Sequence, residues 1–167
     1  MHRTGAVLLA LLAVAGCSSQ PSSATAASTR TTSPQSGTPS QSASTAAAEA
    51  TVVAYYMAIA AHDPLTARTR LAPEYYKLYP TPAAYQAWIA NYLSLTKLTI
   101  DSERPVAAET AAQHPGYTDL HELLVSYDAV LRTPSANETT GPIERFVIVG
   151  RRGPASPWLI LDIATGP

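Results

Sequence analysis

LLVSYDAVL, residues 123–131, sets Leu123, Val125, Tyr127, Ala129 and Leu131 in alternation with more polar partners. A period of two sends successive side chains to opposite faces, so the stretch predicts one long strand with a single apolar face. Two further strands follow, at Ile143 to Gly150 and at Trp158 to about Ala164. The Pro/Asn/Gly loop from Thr133 to Pro142 joins the first hairpin, and Arg151-Arg152-Gly153-Pro154 turns the second. Upstream, Leu98 and Ile100 alternate with Thr99 and Asp101, which brings the sheet to about four antiparallel strands.

Before that point the period is helical. Val52, Tyr55, Tyr56, Ile59 and Ala60 recur at helical spacing, with Thr45 as the expected N-cap and Glu49 in the first turns. This first helix should stop near His62, since Asp63-Pro64 is a helix start: a side-chain acceptor followed by a residue with no N–H to satisfy. A second helix then runs to about Ala72. Thr81-Pro82 repeats the signal and opens a third, whose stripe of Tyr85, Trp88, Ile89, Tyr92 and Leu93 extends it to about Leu95. Three helices followed by about four antiparallel strands mean an α+β domain with its helices packed on a curved sheet.

The 167-residue chain is long enough for one domain with a real core, and its net charge of −1 argues against a nucleic-acid partner. Charge is nearly absent before Glu49. A basic start at His2 and Arg3, an apolar run from Ala6 to Ala15 and the small residues after it read as an export signal over residues 1–16, too short to span a bilayer. Residues 17–44 are almost wholly Ser, Thr, Ala, Pro and Gln, a composition that cannot offset its own ordering entropy and so predicts a tether. Residues 45–167 form the body. A disulfide is excluded, because Cys17 is the only cysteine.

Val14-Ala15-Gly16-Cys17 resembles the lipobox of bacterial lipoproteins. The resemblance implies that Cys17 carries diacylglycerol and becomes the new N-terminus, anchoring an extracytoplasmic domain to the cell membrane; acyl chains on one residue supply about 0.8 kcal/mol per buried methylene. In the body, VVAYYMAIAAHDPLTARTRLAP (52–73) resembles the opening helices of the NTF2-like superfamily, which includes ketosteroid isomerases and polyketide cyclases, and ERFVIVGRRGPASPWLILDI (144–163) resembles its final hairpin. That resemblance implies a cone: a bent sheet wrapped against the first and third helices around an apolar pocket.

The same family offers an enzyme reading. In the isomerases a first-helix tyrosine precedes the Asp that opens the next helix by the spacing seen between Tyr55 and Asp63, and Ile143-Glu144-Arg145-Phe146 is similar to the setting of the protonated acid beside it. Two oxyanion donors are thereby implied. The carboxylate base expected between the second and third helices has no match in EYYKLYPTP (74–82), where Glu74 is the only acid. Proton transfer needs such a base within hydrogen-bond reach.

The residues also carry plainer readings: Tyr55 as a packed aromatic of the pocket wall, Glu144 as a rim residue, His62 as a cation at a helix C-terminus. His121 alternates in register with Leu123 and so faces the interior, near Asp119 but with no third partner in sequence. The body histidines are scattered and no multi-Cys or paired-His spacing occurs, so no metal and no cofactor is expected. The expectation is a binding domain without catalysis. Tyr55, Ile59, Tyr85, Trp88, Tyr92, Phe146 and Ile148 would line a pocket for a small apolar ligand, and an envelope protein or a second copy could meet the sheet. The enzyme alternative would use Tyr55, Glu144 and His121.

Overall fold

The structure is a computed structural model that describes residues 41–135 and 138–165. The export signal, Cys17 and nearly all of the tether lie outside the described residues. Among those described, the elements in chain order are α1 Gln41–Ala60, α2 Pro64–Arg68, α3 Pro73–Tyr76, α4 Pro82–Ala90, β1 Tyr92–Pro105, α5 Ala108–Ala112, β2 Asp119–Leu131, β3 Gly141–Arg151 and β4 Leu159–Ala164. The fold is mixed α+β, as the change of period implied, with more helices than the three expected.

The strands form one antiparallel sheet in the order β1-β2-β3-β4, so each strand pairs with its neighbour in sequence. β1 carries three register shifts against β2, between Tyr92 and Ser94, Thr96 and Thr99, and Ile100 and Ser102, and Lys97 there has φ 54. Bulges of this kind bend a strand, which is how the sheet curves. α1 crosses this curved sheet and touches all four strands. Its buried Val52, Tyr55, Tyr56 and Ile59 meet the inward residues of β2 and β3, with Leu123, Val125, Val147 and Val149 at full burial.

Local chemistry explains most of the boundaries. Asp63 caps α2 by accepting from the Leu65 and Thr66 backbone N–H groups at 3.1 and 3.0 Å, with Pro64 at the first helical position. Thr81 caps α4 by accepting from the Ala84 N–H at 3.1 Å, ahead of Pro82. α1 ends in a Schellman motif: the Asp63 N–H donates to the Ala58 carbonyl and the His62 N–H to Ile59, with His62 in the left-handed region at φ 54. His62 thus closes the helix through its backbone, where a side-chain cation was expected.

Four further expectations fail. α1 begins at Gln41, so Thr45 lies inside the helix instead of capping it. The second helix ends at Arg68, and Pro73 starts a separate short helix in place of a continuous run to Ala72. Between them the chain drops onto the sheet edge: Leu71 bridges Ile160 in parallel, the Ala72 N–H donates to the Ile160 carbonyl at 2.8 Å and the Ile160 N–H to the Arg70 carbonyl at 2.7 Å. The third helix stops at Ala90, because Tyr92 and its neighbours pair with β2, Tyr92 opposite Leu131 and Leu95 opposite Ala129. Lastly, Phe146 and Ile148 do not face α1. β3 turns Ile143, Arg145, Val147 and Val149 inward, while Ile148 packs with Ala72 and Leu161 on the other face.

Candidate functional site

The inward face of the sheet and the helices above it leave a cavity of ≈ 380 Å³, half of whose lining residues are tyrosines. α1 supplies Tyr55 and Tyr56, the α3 segment Tyr75 and Tyr79, α4 Trp88, β1 Tyr92 and β2 Tyr127. Arg145 of β3, Ile163 of β4 and Glu138 of the β2–β3 loop complete much of the rest. The rings brace one another: Tyr79 and Trp88 lie 5.7 Å apart, Trp88 and Tyr92 5.2 Å and nearly perpendicular, Tyr56 and Tyr127 4.9 Å. The Trp88–Tyr92 contact is edge-to-face and the other two are tilted, arrangements that favour fixed ring orientations.

The polar atoms of this wall are unevenly satisfied. Tyr92 donates to Glu138 Oε1 at 2.9 Å. The Tyr55 and Tyr56 hydroxyls are buried with no hydrogen-bond partner among the described residues, and so is that of Tyr85 behind the wall. Tyr55 and Tyr85 influence each other's ionisation, and so do Tyr56 and Tyr127, yet neither pair meets with hydrogen-bond geometry. Burial pushes the Tyr55 and Tyr56 phenols well above the ordinary tyrosine range and lifts Tyr75 to about 12; Tyr79, Tyr85, Tyr92 and Tyr127 rise for the same first reason. All of these groups are therefore neutral donors at physiological pH. The Arg145 charge opposes the rise at Tyr56, Tyr75 and Tyr127.

Of the residues expected in the pocket, Tyr55, Trp88 and Tyr92 line the cavity. Tyr85 packs behind Tyr79 and Trp88, and Ile59 lies in the core with no exposed surface. Phe146 and Ile148 line a separate groove on the opposite face with Arg104, whose guanidinium sits 4.6 Å from the Phe146 ring. Glu144 is exposed and follows the same outward phase, so it does not meet Tyr55. The two implied oxyanion donors are not assembled.

His121 does face inward, 8 % exposed, but it belongs to a different cluster. Its Nδ1 meets Glu103 Oε1 and its Nε2 lies 3.5 Å from Asp119 Oδ1, too poorly aligned for a hydrogen bond. Glu103, from β1, is the third partner that sequence spacing did not reveal. Asp119 also accepts from Ser44 Oγ at 3.1 Å and Arg151 Nε at 2.8 Å, and Glu103 accepts from Thr45 Oγ1 at 3.1 Å. Ser44 addresses the carboxylate, so no nucleophile–base pair with His121 forms. The cluster fastens the first turns of α1 to three strands.

Sequence reasoning missed Tyr75, Tyr79, Tyr127, Glu138 and Arg145 in the wall. A signal for Arg145 existed: Ile143, Val147 and Val149 are β-branched, and that phase of β3 has the better claim on a buried face. No group of His, Cys, Asp or Glu among the described residues could hold a metal ion. No protein-family model, curated protein or solved structure matches the chain.

Proposed function

We propose that the body is an NTF2-like domain that binds a small ligand with a flat apolar body in the tyrosine-walled cavity, without catalysis, and that it is held outside the cell membrane by a lipid on Cys17. The observation that carries the binding reading is the pair of buried, unpartnered hydroxyls of Tyr55 and Tyr56 in the wall of a ≈ 380 Å³ cavity. A buried donor left without a partner costs about 1–3 kcal/mol, and a bound acceptor relieves that cost. The volume lies within the span of about 300–1,000 Å³ usual for small-molecule sites. For proton transfer the wall offers one carboxylate, Glu138, which is already tied to Tyr92. The four-stranded antiparallel sheet under α1 is compatible with the NTF2-like cone.

Saturable quenching of Trp88 by naphthalene tests the binding reading, with Trp158→Phe removing the second indole from the signal. In calorimetry, Trp88→Ala should weaken naphthalene about tenfold, the scale of a lost aromatic pair. Absence of saturation sinks the reading; so does turnover of an isomerase or cyclase substrate that Tyr55→Phe abolishes while binding persists. The anchor rests on Val14-Ala15-Gly16-Cys17 and the polar tract behind it. No helix among the described residues is long and apolar enough to cross a membrane. Labelled fatty acid should enter the wild-type chain and not Cys17→Ser, and equal labelling of both rejects the lipid.

A further inference from the structure

We propose that the tip of the body formed by α2 and the turn after α3 docks on an anionic lipid surface, with Leu65 and Leu78 entering the headgroup layer and Arg68 and Lys77 meeting its phosphates. This rests on the membrane-anchor reading above and adds the face that the body turns to the lipid. Leu65 and Leu78 are 72 % and 70 % exposed, the highest values among the exposed large apolar residues described. A single exposed leucine is ordinary on a protein surface, so the neighbours decide its meaning. Arg68 follows Leu65 by three positions in α2, which sets both on one helix face. The Arg68 guanidinium lies 4.1 Å from the ring of Tyr76, the last residue of α3. Lys77 and Leu78 continue the chain from that ring, both exposed, and the Leu78 N–H donates to the Tyr75 carbonyl at 3.0 Å. The Arg68–Tyr76 contact therefore gathers two leucine–cation pairs from separate elements at one tip.

The charge at this tip faces outward. Lys97, Arg104, Arg151 and Arg152 are each paired with a carboxylate, whereas Arg68 and Lys77 have no carboxylate partner among the described residues. The acids nearest to them in sequence are engaged: Asp63 accepts from the first turn of α2, and Glu74 accepts from Arg152 at 3.1 Å. Apolar side chains that enter the headgroup layer, ringed by cations drawn to its negative potential, are how a peripheral surface holds to anionic lipid. Chain length allows the posture. The roughly two dozen residues from Cys17 to Gln41 span at most about 85 Å when extended, and α1 is about 30 Å long. A body anchored at Cys17 can thus bring α2, which follows the far end of α1, down to the same membrane. The docked segment also carries Tyr75 and Tyr79 of the cavity wall, so docking sets that wall beside the lipid.

The test couples the mature chain, Cys17 to Pro167, through its single thiol to a maleimide lipid, in vesicles of phosphatidylcholine alone or of phosphatidylcholine mixed with phosphatidylglycerol. Amide exchange is then followed by mass spectrometry. Residues 64–69 and 75–79 should exchange about fivefold or more slowly on the anionic vesicles than on the neutral ones, the scale of one cation at an anionic surface. Arg68→Gln combined with Lys77→Gln should abolish the difference, and Leu65→Ser combined with Leu78→Ser should reduce the protection on anionic vesicles. Should either double variant not fold, the wild-type comparison of the two lipids decides by itself. Equal exchange on both lipids overturns the proposal, and so does protection that appears only on another part of the body. Coupling supplies the anchor chemically, so these outcomes stand apart from whether a cell lipidates Cys17, which the fatty-acid labelling decides.

Discussion

Tyr55 and Tyr92 are both buried tyrosines of one wall, yet the same substitution should act on them in opposite directions. Tyr55 has no hydrogen-bond partner, so Tyr55→Phe removes a desolvated O–H and should raise the stability of the ligand-free protein by about 1 kcal/mol. Tyr92→Phe takes the donor from Glu138 and should lower it by about 1–2 kcal/mol. Chemical denaturation of the two variants checks both signs. The phenols together also set a pH limit. Their folded values are raised, so the stability they carry is full below about pH 10, where an unfolded tyrosine ionises, and is lost as pH climbs through the folded values, with Tyr75 reached at about 12. Denaturation midpoints should fall above pH 10 in step with the rise of tyrosinate absorbance. At this scale the inward face of α1 was legible, because helical period alone selects Tyr55. Arg145 was legible only through the β-branched Ile143, Val147 and Val149 that share its face, since a charged residue taken by itself reads as solvated.

Among the elements, the starts were better written than the ends. Asp63-Pro64 and Thr81-Pro82 each opened a helix where expected, because a cap is a contact between residues two or three apart. The end of α4 depends on pairing with residues some forty positions away, Asn91 Nδ2 to the Thr133 carbonyl and Tyr92 opposite Leu131, and no local rule contains that. The phase of β3 was likewise fixed by register: Leu123 opposite Val147 and Val125 opposite Arg145 align the inward sets of two strands. The Asp63 cap yields a prediction at this level. Hydrogen bonds from Thr66 and then from the Leu65 backbone hold its carboxyl below the usual range, so its stabilisation is present above the unfolded value and is lost as pH falls through the folded one. Asp63→Ala should lower Tm at neutral pH. Asp63→Asn should keep most of the Tm while flattening its acid dependence, and an unchanged acid slope in that variant argues against the cap as its source.

Across the molecule, α1 sits on all four strands and its first turns are fastened to them by Ser44 and Thr45. A chain starting at Gln41 should therefore unfold cooperatively with a higher denaturant midpoint than one starting at Thr45, which lacks the Ser44 bond to Asp119; that bond is worth about 1 kcal/mol. Equal midpoints would show the fastening to be idle. The α+β class was readable from the switch of period, whereas the extra short helices were not, being too brief to show one. The stretch between α2 and α3 has a consequence of its own. β4 closes one side of the sheet, and its Ile160 N–H and carbonyl are taken by Arg70 and Ala72 of that stretch. At the far side β1 is broken by three register shifts and carries Lys97 in a left-handed kink, ion-paired to Asp128 at 2.7 Å. Both margins thus carry interruptions of the kind by which natural sheets discourage edge-to-edge polymerisation of crowded copies.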